Sequence, residues 1–309
     1  MRIAVMGAGG TGGYFGGLLA RAGQDVTFIA RGAHLAALQA HGLTVTSRLA
    51  GDFTVPVQAT DNPAAVGPVD LVLFCVKAYD TAAAAALIRP LVGPDTMVLP
   101  VQNGIDHPAR LTGVVGEGHV VGGLALITAA ITAPGVVAQT AGLGKIVLGE
   151  LDGGTSARTT LLLQLFEQAG IAAALRPDIW IALWEKFIFI CAFGGVTALT
   201  RLPIGAILAS AEGNALLRGV MMEAAAVAQA EGVALPDDSV ERGMALARSF
   251  EPWARGSLAH DLTGGRRLEV ETLNGTVVRL GRGHAVTTAF NFVIYAALQP
   301  YAAGAPALP

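Results

Sequence analysis

The sequence predicts an α/β chain in two parts: a doubly wound parallel sheet over residues 1–176 and an all-helical part over residues 177–309. Three observations predict it. A short apolar run at the very start leads straight into a cluster of glycines and then a helical stretch. Apolar strand-like runs keep alternating with helical ones through the first half, the pattern of repeated β-α units. Near Arg176-Pro177-Asp178 the texture changes, and the chain beyond that point shows mostly helical periodicity.

The first unit is read from its residues. Arg2 to Met6 is the kind of apolar run that a buried parallel strand makes. It stops at Gly7-Ala8-Gly9-Gly10-Thr11-Gly12, a G-x-G-x-x-G. In a Rossmann unit the first glycine allows the tight turn, the second lets a pyrophosphate approach the backbone, and the third lets helix and strand pack closely. Gly7, Gly9 and Gly12 take those places, and Gly10 and Thr11 open a helix whose free N–H groups favour an anion. By itself the motif is weak in a chain with 40 glycines, but here a strand precedes it and a helical stretch, Tyr14 to Ala22, comes after it, with Gly23 as the stop. The second strand, Val26 to Ala30, ends at Arg31. That position lies beside the adenosine ribose, where an acid accepts from the 2′-hydroxyl of NAD and an arginine accommodates the 2′-phosphate of NADP. Arg31 therefore points to NADP(H), against the alternative of a solvated surface arginine.

The remaining elements come in chain order. Ala33 to His41 reads as helix, and Leu43–Val45 and Phe53–Val57 as short extended pieces. Val69 to Val76 is a buried strand delivering Lys77, Thr81 to Ile88 an alanine-rich helix, and Met97 to Val101 a strand ending at Gln102-Asn103-Gly104. Lys77 and Asn103 thus stand at carboxyl ends of strands, where doubly wound sheets bind their ligands. Pro134-Gly135 reads as a turn between Ala125–Ile131 and Val136–Gln139, with Lys145–Leu148 beyond it. In the second half, helices are expected over Asp178–Cys191 with Asp178 as N-cap, Gly205–Ala209, Ala211–Ala230, Asp238–Arg248, Leu268–Arg282 and Phe290–Leu298. The Ala/Pro-rich end, Ala302 to Pro309, stands apart. A cleft between the two parts is the expected place for the active site.

Composition narrows the function classes. At 309 residues with a net charge of −3, the chain lacks the basic excess of a nucleic-acid binder. It is apolar, with 53% hydrophobic and 14% charged residues. Its most apolar candidate span, Phe187 to Leu199, is short of the roughly 20 residues needed to cross a bilayer and contains Gly194 and Gly195. It reads as a buried interior helix, so no membrane partner is expected. Cys75 and Cys191 are too few for a disulfide framework or a zinc site, which points to the cytoplasm. The apolar helical half favours a homodimer.

Five motifs carry a resemblance that runs along nearly the whole chain: Gly7 to Gly16, Cys75-Val76-Lys77-Ala78, Gln102-Asn103-Gly104, Trp184-Glu185-Lys186, and Leu268-Glu269-Val270-Glu271-Thr272-Leu273-Asn274-Gly275. In that order they resemble the ketopantoate reductase family (2-dehydropantoate 2-reductase). The resemblance implies an N-terminal Rossmann domain and a helical domain of the 6-phosphogluconate dehydrogenase C-terminal type. It implies NADPH-dependent reduction of a keto acid, ketopantoate, to pantoate on the way to pantothenate and coenzyme A. By motif, Lys186 matches the general acid and Glu269 the acid that holds the substrate hydroxyl and the lysine. Asn103 and Lys77 match residues lining nicotinamide and substrate, and Ser257 falls where the family places a serine near the carboxylate. Asn274 and Gly275 match a shared structural turn.

The chemistry supports these assignments on its own terms. Reducing a ketone builds negative charge on oxygen, so a cation within hydrogen-bond reach stabilises the transition state and delivers the proton. Lys186 sits among Trp184, Phe187 and Ile188, where burial would lower its pKa. The alternatives are bland: Lys186 snorkelling from a core helix, Lys77 as a surface cap, Asn103 as a turn former. Glu271 rivals Glu269, since both fall in one helix-like stretch, and His260-Asp261 reads as solvated or structural. Ile190 and Gly194 stand where the family usually has asparagines that bind substrate, and Val286–Asn291 lacks the family's usual proline. Those departures predict a wider, more apolar pocket and keep open a paralogue acting on a bulkier ketone or an imine (opine-type). A non-catalytic NADP(H)-binding redox sensor is the remaining alternative, disfavoured by the presence of both Lys186 and Glu269.

Overall fold

A computed structural model describes residues 1–306 of the chain. The part of the Ala/Pro-rich end beyond Pro306 lies outside them. The chain divides into two compact units, Met1–Gln102 with Asp106–Ile179, and Asn103–Ile105 with Trp180–Pro309.

The first unit runs β1 (Arg2–Met6), α1 (Gly10–Arg21), β2 (Asp25–Ile29), α2 (Gly32–His41), β3 (Leu43–Ser47), β4 (Phe53–Val55), β5 (Gln58–Thr60) and β6 (Val69–Phe74). It continues with α3 (Thr81–Leu87), β7 (Val92–Pro100), α4 (His107–Val115), β8 (Gly122–Ala133), β9 (Val136–Gly149), α5 (Ala157–Gln168) and β10 (Ala172–Leu175). Five strands form an all-parallel sheet in the order β5-β2-β1-β6-β7. The order reverses between β1 and β6, so the loops leaving those two strands flank the crevice where such sheets bind ligands. Strand alternation explains its burial. Ile3 and Val5 join one buried cluster with Phe28, Leu71 and Leu73, while Ala4 and Met6 join another with Val72 and Phe74.

Sheet and helix assignments from the sequence hold here, but the first half is not one parallel sheet. Leu43–Ser47 and Phe53–Val55 leave it for a second, mixed sheet of order β10-β9-β3-β4, with β8 antiparallel to β9 around the Pro134-Gly135 turn. The runs Val136–Gln139 and Lys145–Leu148 are one long strand, its register shifting where it passes Gly142.

Helix α1 lies between the two sheets, which explains its glycines. A Cβ on Gly12 would run into the Gly7 carbonyl oxygen and stand 2.9 Å from Val5, and one on Gly16 would stand 2.7 Å from the Phe28 ring, both on the parallel sheet. A Cβ on Gly10 would collide with the Ala129 carbonyl, and one on Gly13 would stand 2.6 Å from Val137, both on the second sheet. The two sides of one helix are thus stripped of side chains at i, i+4 and i, i+3 spacing, and both sheets approach its backbone.

The second unit consists of α6 (Ile179–Thr200), α7 (Ile204–Ala209), α8 (Ala211–Ala230), α9 (Ser239–Ser249), α10 (Ser257–Thr263), α11 (Asn274–Gly283) and α12 (Ala289–Leu298). Two expectations are corrected. The helix expected to stop at Cys191 runs on through Gly194 and Gly195 to Thr200. At 22 residues it is long and apolar enough to cross a membrane by length and composition, and 72% of its most apolar window is buried inside the protein, as in a core helix. The helix expected over Leu268–Arg282 begins only at Asn274. Leu268–Leu273 is a turn, because the N–H groups of Thr272 and Leu273 and the Thr272 hydroxyl all donate to the Glu269 carbonyl at 3.0–3.1 Å, while Leu273 takes φ −103°, ψ −104°.

Candidate active site

The first unit contributes the glycine loop. Gly7 has φ +97°, a left-handed conformation that a side chain would strain, and a Cβ there would also stand 2.9 Å from Val76. Gly9 is different. It caps α1 with an ordinary φ of −72°, and a Cβ on it would meet nothing within 4 Å. Neither conformation nor packing within the protein demands glycine at position 9, and the open space beside it would let a phosphate approach the backbone. With the bare N-terminus of α1 beside it, the loop fits the pyrophosphate of a dinucleotide. Gly10 and Gly12 are fixed by packing, and Thr11 lies in the first turn.

Arg31 lies two residues past β2, is exposed, and occupies the N-cap position of α2. Its neighbour His34 is tied into the same region. Nδ1 accepts from the Gly135 N–H at 3.0 Å, and partial burial lowers the imidazole pKa, opposed by a backbone hydrogen bond with Ala8 of the glycine loop. Lys77 lies three residues past β6, exposed, at the head of a short 3-10 turn. Gln102, which sequence reasoning left unassigned, holds that loop: its side-chain amide donates to the Val76 carbonyl at 2.8 Å and to the Thr81 hydroxyl at 2.9 Å. Cys75 is half-buried beneath the loop and its thiol is pushed far up by burial, so it is inert.

The second unit contributes Lys186 and Glu269. Lys186 lies on α6 between side chains of Trp184, Phe187 and Ile188, each at most 2% exposed. Burial of its ammonium draws the pKa down to about 8, with the Glu269 carboxylate pulling the other way. Glu269 is 4% exposed, and Asn103, the residue after Gln102, which packs with this unit, donates to it at 3.5 Å. The structure thus brings together Lys186, Glu269 and Asn103. The two glutamates differ in their surroundings, since Glu271 instead accepts from the Tyr295 hydroxyl at 2.9 Å with both oxygens. Glu185 is likewise occupied, paired with Arg242 of α9. Asp261 pairs with Arg266 at 2.8 Å, and His260 is exposed.

Ser257 is the exposed first residue of α10. Ile190, one turn after Lys186, is partly exposed. Around that face of α6, Phe189, Phe193 and Phe250 form an aromatic trio with centroids 4.9–5.7 Å apart. Gly194 does not widen a pocket as expected. It is buried, and the space beside it is filled by the Gly256–Leu258 segment: a Cβ on Gly256 would lie 2.5 Å from the Gly194 Cα.

A doubly wound sheet with a glycine loop at its switch point, joined in one chain to a half-buried lysine beside a buried carboxylate, is the make-up of a nicotinamide-dependent oxidoreductase. Residues 3–153 match the family model described as ketopantoate reductase PanE/ApbA, and residues 178–302 match the model of its C-terminal domain. The chain belongs to the ketopantoate reductase family. It is 36% identical over 293 residues to a 2-dehydropantoate 2-reductase of Halobacterium salinarum, covering 93% of this chain and 94% of the relative. It superposes with a TM-score of 0.90 on a PanE/ApbA family ketopantoate reductase from Ralstonia eutropha, 36% identical, covering 98% of each chain. A 2-dehydropantoate 2-reductase from Geobacter metallireducens gives the same TM-score at 33% identity, covering 97% of this chain and 99% of the other.

Proposed function

We propose that the protein reduces ketopantoate (2-dehydropantoate) to pantoate with NADPH, the step that feeds pantothenate and coenzyme A synthesis. The observation that carries this reading is the half-buried Lys186 ammonium beside the buried Glu269, in a chain similar along nearly its whole length to proteins named for that reaction. NADPH, when bound, supplies the hydride that adds to the keto carbon. Lys186 supplies the balancing proton to the keto oxygen, so the carbonyl becomes an alcohol. With a pKa near 8 the amine is mostly protonated at neutral pH yet releases its proton readily, which suits a general acid.

Glu269 holds the ammonium and accepts from the substrate hydroxyl, and Asn103 orients it. Ser257 serves the substrate carboxylate, and Ile190 offers apolar contact to the substrate's methyl groups. Gly7, Gly9, Gly10, Thr11 and Gly12 form the pyrophosphate cradle, Arg31 takes the 2′-phosphate, and Lys77 lines the nicotinamide. Two free cysteines fit a reducing cytoplasm. Exposed Phe290, Phe292 and Val293 on α12 fit the contact face of a homodimer.

The test is NADPH consumption with ketopantoate by wild type and Lys186→Ala side by side. Turnover should depend on ketopantoate and fall by about 10²- to 10⁴-fold in the variant, the usual worth of a general acid. Undiminished turnover in the variant, or none in the wild type, would overturn the reading.

A further inference from the structure

Helix α6 carries two adjacent glycines in its interior, each costing about 1 kcal/mol of helix stability relative to alanine. Each receives a different segment. At Gly194 the backbone of Gly256 arrives, and the buried Thr197 hydroxyl accepts from the Gly256 N–H at 3.1 Å while donating to the Phe193 carbonyl at 2.7 Å. At Gly195 the arriving group is the carboxamide of Asn274. A Cβ on Gly195 would stand 3.0 Å from Asn274 Oδ1 and 3.2 Å from Nδ2.

Asn274 is fully buried. Its Nδ2 donates to the Cys191 carbonyl of α6 at 3.2 Å and to Asn291 Oδ1 at 2.9 Å. Both partners on that side are acceptors, which fixes the amide orientation and leaves Oδ1 facing Gly195 without a hydrogen-bond partner. Asn291 in turn donates to the Val220 carbonyl and to Glu223, whose carboxylate accepts from the Phe290 and Asn291 N–H groups at the start of α12. A buried asparagine with one unpaired oxygen is a costly way to join helices that apolar contacts would also join. What it adds is register. Asn274 opens α11 directly after the Glu269 turn, and that turn is closed onto it by the Gly275 N–H donating to the Val270 carbonyl at 2.9 Å. Its other end grips α6 at Cys191, five residues past Lys186.

We propose that Asn274 is a positioning residue: through its grip on the α6 backbone at Cys191 and Gly195, it sets the Glu269 carboxylate against the Lys186 ammonium. The proposal rests on the reading of Lys186 as the proton donor. Gly195 is then glycine because the carboxamide must lie on the helix backbone, and the glycine pair in the middle of α6 is the seam onto which the Ser257 and Glu269 segments dock.

The test measures kcat, KM for ketopantoate and the pH profile of kcat for wild type, Asn274→Ala and Gly195→Ala, with melting temperature monitored in parallel. Gly195→Ala keeps every hydrogen-bonding group and crowds the carboxamide, together with the Ile294 side chain, which its Cβ would also meet at 3.0 Å. Both variants should fold, with kcat reduced by about ten- to a hundred-fold, the cost of a small misplacement. The basic limb of the profile should move to lower pH, because Glu269 holds the lysine pKa up and would act on it less. A lowered melting temperature with kcat and the limb unchanged would make Asn274 merely structural and overturn the proposal. Should Asn274→Ala fail to fold, Gly195→Ala alone decides on the same criteria. Failure of the underlying reading shows separately, as a wild type whose profile has no limb near pH 8 or as an active Lys186→Ala.

Discussion

Lys186 owes its chemistry to two opposed forces. Apolar neighbours penalise its charge, the Glu269 carboxylate restores part of it, and the balance falls near 8. Sequence reasoning singled this residue out through the Trp184-Glu185-Lys186 motif, and its place on an otherwise apolar helix agreed with a lowered pKa. It did not separate Glu269 from Glu271, because assigning both to one helix hid the turn that buries the first and sends the second to Tyr295. Gln102 and Asn274 gave little chemical signal, since an amide's role lies in which backbone carbonyl it reaches, and that depends on tertiary contacts. Arg31 carries its own prediction. Arg31→Ala should raise KM for NADPH by about ten- to a hundred-fold, the worth of one charge-assisted hydrogen bond, while leaving KM for NADH unchanged. Equal effects on the two cofactors would remove Arg31 from the 2′-phosphate.

At the scale of the element, α1 is the part of the fold most legible in the sequence and also the part that held more than was read. The G-x-G-x-x-G gave its start and its ligand. The further glycines at 10 and 13 reflect a second sheet, which no local pattern announces because the β8–β9 hairpin lies far along the chain from α1 and joins β3 through β9. Glycines of the same motif should therefore respond differently. Gly12→Ala should destabilise the protein by about 1–3 kcal/mol through overpacking against Gly7, Val5 and Cys75. Gly9→Ala should leave stability within about 0.5 kcal/mol, since nothing in the protein meets its Cβ, yet weaken NADPH binding at least about ten-fold. Thermal melts with and without NADPH separate the two, and equal destabilisation by both would contradict the phosphate-approach account of Gly9.

Over the whole molecule, the division of labour is clear in each unit taken by itself. The first packs the helix behind its glycine loop between two sheets, and the second sets a half-buried lysine beside a buried carboxylate among helices. Periodicity made the parallel sheet and most helices readable. It failed where an element's end is set by side-chain bonds, as at the Glu269 turn, or where glycines sit inside a helix for the sake of a neighbour, as at Gly194 and Gly195. The helix that length and composition alone would allow in a membrane is instead the core element that carries Lys186.

The account turns on Lys186 as a tuned proton donor, and the most direct test is the pH dependence of single-turnover ketopantoate reduction in wild type and Glu269→Gln. A group with its pKa near 8 must be protonated to act, so the rate should hold below that value and fall about ten-fold per pH unit above it. Removing the Glu269 charge should shift the fall to lower pH, because that carboxylate favours the ammonium. A rate that stays flat through pH 10, or a fall that moves upward in Glu269→Gln, would contradict it.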